Sequence, residues 1–224
     1  FLEKPLLISP RMIIGFSGWM DGGYVSTGSI VYLNNKLKTV KFAEIHPHPF
    51  YIYNLPGTME EIAQFRPYTK IIDGVVNEIQ FPTNEFFVDT RNNLILFSGK
   101  EPNINWDKFS EIFLFMCREY QIQEIYFIGS VNGLTPHTRD PRIYCSVSDE
   151  KLKKIVEGEN IRFSNYEGSS SFITYLTYLM RKENISMINL ITDVPMYIHA
   201  ANPRGIISVL KKISSLLNLN VDFS

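Results

Sequence analysis

Hydrophobic positions along the chain follow two alternating rhythms. Runs of branched and aromatic residues at 11–16, 39–45, 85–89, 93–98, 123–128, 143–147 and 186–192 read as strands. "EIYFIG" and "SMINLIT" are apolar almost throughout, the pattern of strands covered on both faces. Between the runs, apolar residues return at three- and four-residue intervals. Phe109, Ile112, Phe113, Met116 and Tyr120 share one face of a helix over 107–120. Phe172, Ile173, Leu176, Leu179 and Met180 do so over 170–182, and Ile206, Leu210, Ile213 and Leu217 over 204–217, with Lys211 and Lys212 outside that stripe. Covered strands alternating with amphipathic helices predict an α/β fold, a single three-layer α/β/α sandwich.

Another helix, over about 22–37, opens with Ser26, Thr27, Gly28 and Ser29, a small face suited to close packing. Glycine inside a helix costs about 1 kcal/mol relative to alanine, which makes Gly28 a sign of close approach. Segment 47–84 differs: Pro47, Pro49, Pro56, Pro67 and Pro82 interrupt it and its periodicity is weak. The whole stretch 47–89 reads as an irregular excursion rich in proline and aromatics, with a hairpin through 76–89. Without repeats, low-complexity tracts or linkers, residues 1–224 read as one α/β domain.

Composition narrows the function classes. The 224 residues are 45% hydrophobic, 13% aromatic and 20% charged, and the formal net charge is −1, so no global field favours nucleic acid or acidic membranes. The densest apolar run, "IFLFMC", is far shorter than a membrane span. "FLEKPLLISPR" lacks the basic-then-apolar layout of a secretory signal, and the two cysteines, Cys117 and Cys145, form no disulfide framework. A cytoplasmic protein is the expectation.

Candidate chemistry gathers in loops at strand–helix junctions. "GFSGWMDGG" (15–23) nearly fits three catalytic patterns and completes none. It lacks the last glycine of a nucleophile elbow, the lysine of a phosphate-binding loop and the spacing of a dinucleotide fingerprint. Asp21 precedes a helix, where a carboxylate caps the first free amides. In "GSVNGLTPHTRDPR" (129–142), Gly129 and Gly133 permit a sharp turn, and His137, Thr138, Arg139 and Arg142 could hold an anion. The expectation is that Arg139 pairs with an acid such as Asp140, Glu167 or Asp21 and ties the loops together, the competing reading being an exposed Arg139 that awaits such an anion. Ser169–Ser171 precede one helix, and Asn202 with Pro203 forms a cap-then-first-turn arrangement for another. His46 and His48 are two ligands at most, and neither H-E-x-x-H nor paired cysteines occur, so no metal and no cofactor is expected.

Five segments occur in an order that carries a resemblance: "GFSGWMDGGYVSTGSIVYL", "SGKEPNINWDKF", "IGSVNGLTPHTRDP", "YEGSSSF" and "VPMYIHAANPRG". Together they resemble the serial motifs of the proteasome assembly chaperone family, in its prokaryotic branch, sometimes labelled an ATP-grasp superfamily. Gly18, Asp21 and Gly23 match G-x-x-D-A-G, with Gly22 in the place of alanine. Gly129, Gly133, Pro136, His137, Thr138, Arg139 and Pro141 match G-x-x-G-x-P-H-T-R-P-P, with Asp140 departing. Gly99, Glu101, Pro102 and Trp106 match G-x-E-P-x-x-x-W; Tyr166, Glu167 and Gly168 match Y-E-G; Val194, Pro195 and Tyr197 match V-P-x-Y.

The resemblance covers about residues 11–217 and implies a fold similar to phosphorylase/hydrolase-like α/β sandwiches, self-association (a trimer or tetramer) and proteasome α-subunits as partners. Some archaeal members bind α-rings through a C-terminal hydrophobic–Tyr–any tripeptide, from which Asp222-Phe223-Ser224 departs at its first position. The residues leave two function classes open: a non-catalytic assembly or binding protein, and a small-molecule enzyme acting on a phosphorylated or carboxylated compound around His137 and Arg139. In either case the loops at 17–23, 129–142, 166–171 and 194–203 should meet at one sheet edge. The candidate cluster is Trp19, Asp21, Gly22, Gly23, Glu101, Asn132, His137, Thr138, Arg139, Glu167, Tyr197 and Asn202.

Overall fold

In the computed structural model, which describes residues 1–198 and 200–223, elements appear in the following order. Strand β1 (Arg11–Ser17) leads through a 3₁₀ turn (Gly22–Tyr24) into α1 (Val25–Leu37) and then β2 (Val40–Glu44). Short α2 (Met59–Ile62) precedes a hairpin of β3 (Tyr68–Ile72) and β4 (Val75–Gln80). Then come β5 (Glu85–Asp89), β6 (Leu94–Lys100), α3 (Trp106–Tyr120), β7 (Glu124–Gly133), β8 (Ile143–Val147), α4 (Lys153–Val156), β9 (Arg162–Phe163), α5 (Phe172–Lys182), β10 (Ser186–Pro195) and α6 (Pro203–Leu217).

Eight strands form one mixed sheet in the order β2-β5-β6-β1-β7-β10-β8-β9. Its centre, β6-β1-β7-β10, is parallel, which places four strand ends side by side on one edge. Helices cover both faces, so the sandwich expected from patterning is the fold. On one face Phe109 and Phe113 of α3 and Phe172 and Leu176 of α5 pack with Phe16, Phe97 and Phe127. On the other, Ile30 and Leu33 of α1 and Val209 and Leu210 of α6 pack with Ile13, Ile128 and Leu190. The central strands are buried on both sides, which is why they read as unbroken apolar runs. Cys117 and Cys145 are buried free thiols, pushed up to about 12 by burial.

The expected hairpin through 76–89 is corrected. Residues 75–80 pair backwards with β3 as a separate two-stranded sheet, while 85–89 pair forwards with β6. The break falls at Pro82, which cannot donate to a ladder.

Helix α1 lies unusually close to the sheet, and its small residues explain why. A Cβ on Gly15 would sit 2.4 Å from Ile30 Cγ1 and 2.9 Å from the Ser26 carbonyl oxygen. Gly28 makes the same allowance towards α6, where a Cβ would lie 2.6 Å from Ile206 Cδ1. Strands β1 and β7 pair only from Met12↔Ile125 to Gly15↔Ile128. Past that point the buried Ser26 hydroxyl stands between them, accepting from the Phe16 amide (2.9 Å) and donating to the Ile128 carbonyl (2.5 Å). Ser26→Ala would strand both groups, since a buried unpaired polar atom costs about 1–3 kcal/mol. Urea denaturation should show a loss of about 2 kcal/mol or more, with the same m-value, against wild type; a loss within error would remove Ser26 from this role.

Candidate functional site

The four parallel strand ends deliver the polar loops in a row. In the order of the sheet they are Glu101 after β6, residues 17–23 after β1, Asn132 to Arg142 around and beyond the end of β7, and Tyr197 and Asn202 after β10. Segment 166–171, ahead of α5, lies beside them, Ser170 bordering a cleft with Gly18, Trp19 and Glu101. The edge predicted from the sequence therefore exists.

Loop 17–23 fills the gap between β1 and β7. The Ser130 amide donates to the Met20 carbonyl (2.9 Å), its hydroxyl donates to the Gly22 carbonyl (2.6 Å), and Asp21 forms an isolated parallel bridge with Ser130. Gly22 leaves little room for a side chain: a Cβ would lie 3.0 Å from Val194 Cγ2 and 3.2 Å from Asn132 Oδ1. Gly23 takes φ +59°, and its carbonyl accepts from the Asn202 amide (2.8 Å), joining the first loop to the last.

Two carboxylates act as staples. Asp21 reaches over the 3₁₀ turn to accept from the Thr27 amide (3.1 Å) and hydroxyl (2.8 Å), which is the capping role read from the sequence. Burial holds its carboxyl above the ordinary value of 3.8, against the opposing pull of the Thr27 and Ser26 bonds. Glu101 accepts from the Trp19 amide (2.9 Å) with one oxygen and from the Phe172 amide (2.7 Å) with the other, while its own amide donates to the Ser17 carbonyl (2.8 Å). It thus clamps the first loop to the N-terminus of α5, where the helix dipole favours a negative charge. Ser171 and Asn202 cap α5 and α6 by accepting from the Thr174 and Gly205 amides.

At the β7–β10 end, the His137 Nδ1 lies 2.8 Å from the Tyr197 hydroxyl, which also accepts from the His137 amide (2.9 Å). The expected pairing of Arg139 is corrected: Arg139 is exposed, and its guanidinium has no hydrogen bond or ion pair with any described residue. Its amide closes a turn onto the Pro136 carbonyl (3.0 Å), which sets the side chain at the outside of the loop. Arg204, at the start of α6, ties the loop instead, donating to the His137 carbonyl and pairing with Asp140 at 3.7 Å. Thr138 and Glu167 are likewise exposed, and neither is drawn into contact with the other candidates.

Sequence reasoning missed Asp193. It is buried at the end of β10, where its carboxylate accepts from the Thr135 hydroxyl and the Arg142 amide (2.7 Å) and so fixes both ends of the 135–142 loop. The available signal was a lone acid in an otherwise apolar strand. A cleft of about 450 Å³ opens beside it, lined by Pro136, His137, Arg139, Pro195, Ile198 and Pro203 among others. His46 and His48 lie against each other, tilted by 46° (4.8 Å between centroids), beside Tyr53 and Phe81, and among the described residues no group of three or more His, Cys, Asp or Glu is placed to hold a metal.

The model of the PAC2 family matches residues 15–224. No curated protein sequence matches the chain. Among solved structures, a proteasome-assembly chaperone homologue from Mycobacterium tuberculosis, Rv2125, superposes with TM-score 0.82 at 21% identity, covering 95% of this chain and 87% of that one. A PAC2 family protein from Streptomyces avermitilis gives 0.79 at 23% identity over 95% and 88%. PbaB, an archaeal proteasome activator from Pyrococcus furiosus, gives 0.72 at 19% over 99% and 88%. At these identities the structural likeness speaks for the fold.

The two staples differ in how they respond to substitution. Glu101→Ala removes two charge-assisted bonds and should cost about 3 kcal/mol in urea denaturation, with Glu101→Gln recovering part of it. For Asp21, the folded state binds a proton more readily than the unfolded chain, so its contribution to stability declines as pH rises from about 3.8. Asp21→Asn should therefore gain on wild type as pH rises from about 3.8, whereas Asp21→Ala stays about 1 kcal/mol less stable than the asparagine variant. A stability difference between wild type and Asp21→Asn that does not change with pH would contradict this account.

Proposed function

The chain belongs to the PAC2 family, and we propose that it is a non-catalytic assembly or binding protein, similar to proteasome assembly chaperones, that self-associates and works through protein contacts. The observation that carries this reading is the filled gap between β1 and β7. The chain leaving β1 runs to one side of the sheet and the chain leaving β7 to the other, which makes that gap the point where open α/β sheets receive ligands. Here the backbone of Met20 and Gly22 occupies it.

Beside the exposed Thr138, Arg139 and Glu167, the edge presents large apolar side chains outwards. Trp19 is 67% exposed and Leu134 91%, and Tyr24, Tyr166, Met196 and Tyr197 are exposed with them. Exposed aromatics on a rigid platform suit a protein interface. The β3–β4 hairpin points the same way: Tyr68, Ile71, Ile72, Val75, Val76 and Ile79 are all exposed, and a lone two-stranded ribbon is marginally stable in water. We assign the hairpin to self-association and the loop edge to a heterologous partner, with proteasome α-subunits first because two structural neighbours are described as a proteasome-assembly chaperone homologue and a proteasome activator. Phe223 stacks on Tyr32 (6.0 Å, 11°), and the Tyr32 hydroxyl donates to the Asp222 carbonyl (2.7 Å), so residues 222–223 are held against α1. Ser224 lies outside the described residues. No helix among the described residues is long and apolar enough to cross a membrane, and we place the protein in the cytoplasm.

The enzyme reading has the cleft at His137 and Arg139 in its favour. Against it, the imidazole is engaged by Tyr197, and both Asp193 oxygens are committed to loop bonds, one of them with the Thr135 hydroxyl.

Light scattering at micromolar concentration should report more than one chain per particle. Ile71→Lys with Val76→Lys, which face each other across the hairpin, should yield monomers with unchanged circular dichroism. Wild type found monomeric would remove the self-association. Capture of α-subunits by the full natural chain, lost in Trp19→Ala/Tyr197→Ala, would support the partner. Turnover of a phosphorylated or carboxylated compound that disappears in His137→Ala would overturn the non-catalytic reading.

A further inference from the structure

A second cleft, of about 560 Å³, lies between α6 and the β8–β9 side of the sheet. It is lined by Arg142, Arg162, Arg204, Lys211 and Lys212, with Asp140 the one acid on its wall. The whole chain carries −1, so this is a local concentration of positive charge. Three separate elements build it. Arg204, Ser208 and Lys211 recur at i, i+4 and i+7 on α6, opposite the buried stripe of Val209, Leu210 and Ile213. Arg142 is fixed through its backbone, which donates to the Asp193 carboxylate (2.7 Å) and accepts from the Asp193 amide (3.0 Å). Arg162 opens β9 and is paired with Tyr144 in the parallel ladder.

The available acids engage only two of the five cations. Lys212 pairs with Glu159 at 3.1 Å, and Glu159 is tied further by the Ser215 hydroxyl (2.8 Å). Those bonds hold the Glu159 carboxyl below the usual range, the Ser215 bond contributing most. Arg204 pairs with Asp140. Arg142, Arg162 and Lys211 have no ion pair or side-chain hydrogen bond with any described residue. Three like charges facing one concavity repel one another, and the arrangement becomes favourable once an anion sits among them.

We propose that this cleft is a binding site for a small, multiply charged phosphate compound: inorganic polyphosphate or the phosphate chain of a nucleotide. Guanidinium forks match phosphate oxygens two at a time, lysine adds a point charge, and Ser208 and Asn160 offer neutral hydrogen bonds on the same wall. The volume is that of a small-ligand site. The site is separate from the His137 cleft, with which it shares the wall of Pro141 and Arg204, and it requires no turnover.

Titration calorimetry of the full chain with tripolyphosphate, in low salt, tests the site. Saturable binding at one ligand per chain is expected, weakening as salt is raised. Arg162→Glu/Lys211→Glu should weaken it by at least about tenfold, because phosphate contacts are charge-assisted. Lys108→Glu/Lys182→Glu, an equal change in net charge on exposed residues elsewhere, should leave it unchanged. ATP binding tighter than tripolyphosphate would assign a nucleotide, and equal affinities the phosphate chain alone. No saturable heat, equal losses in both double variants, or tighter binding of a polyglutamate peptide would each overturn the proposal.

Discussion

The structure depends on the parting of β1 and β7 beyond Gly15. Two central parallel strands that stop pairing leave buried amides and carbonyls without partners, and each such group costs too much to leave unmet. Ser26 meets the first pair, and the returning loop meets the next through Ser130. Both remedies demand small residues. Gly15 lets α1 come close enough for a serine hydroxyl to reach the sheet, and Gly22 lets the loop lie against Val194 and Asn132. The glycine-rich opening is therefore a consequence of the sheet's geometry.

That geometry shapes what the edge can do. A gap filled by the chain's own backbone cannot admit a substrate at the customary place, so the neighbouring loops are freed from framing a reaction. Their acids become staples: Glu101 ties the first loop to α5, Asp21 ties it to α1, and Asp193 ties the 135–142 loop to β10. With these acids committed inwards, Trp19, Leu134, Tyr166 and Met196 stand exposed on the outward surface, beside Arg139 and Glu167. A rigid platform with apolar, aromatic groups on top suits recognition of another protein surface.

Much of this was legible in the sequence, because the strongest signals are local. The stripes of α3, α5 and α6 and the apolar runs of β1, β7 and β10 are set by periodicity, and the caps at Ser171 and Asn202 by residue type beside a helix start. The convergence of the loops followed from each lying at a strand end. Pairing between distant segments was not legible. Nothing local shows that residues 75–80 pair with 68–72, or that Arg204 and not Arg139 secures the His137 loop. Both arginines sit in polar, proline-rich stretches, and only the direction of α6 decides which one faces inwards. The basic cleft escaped notice for the same reason, since Arg142, Arg162 and Lys211 lie on three elements far apart in sequence.

Arg204 joins the two halves of the surface. Its guanidinium holds the His137 carbonyl and Asp140 on one side and borders the basic cleft on the other. An anion in that cleft competes with Asp140 for the same guanidinium, and Asp140 is among the most exposed acids on the molecule. Releasing Asp140 leaves the His137–Tyr197 contact intact, because that contact rests on the Tyr197 hydroxyl. The protein-facing edge therefore keeps its shape while the charge at its border changes. Electrostatic steering acts through charge at the rim of an interface more than through its core. Ligand charge at this border would accordingly alter how fast a partner is met before it alters how well the surfaces fit.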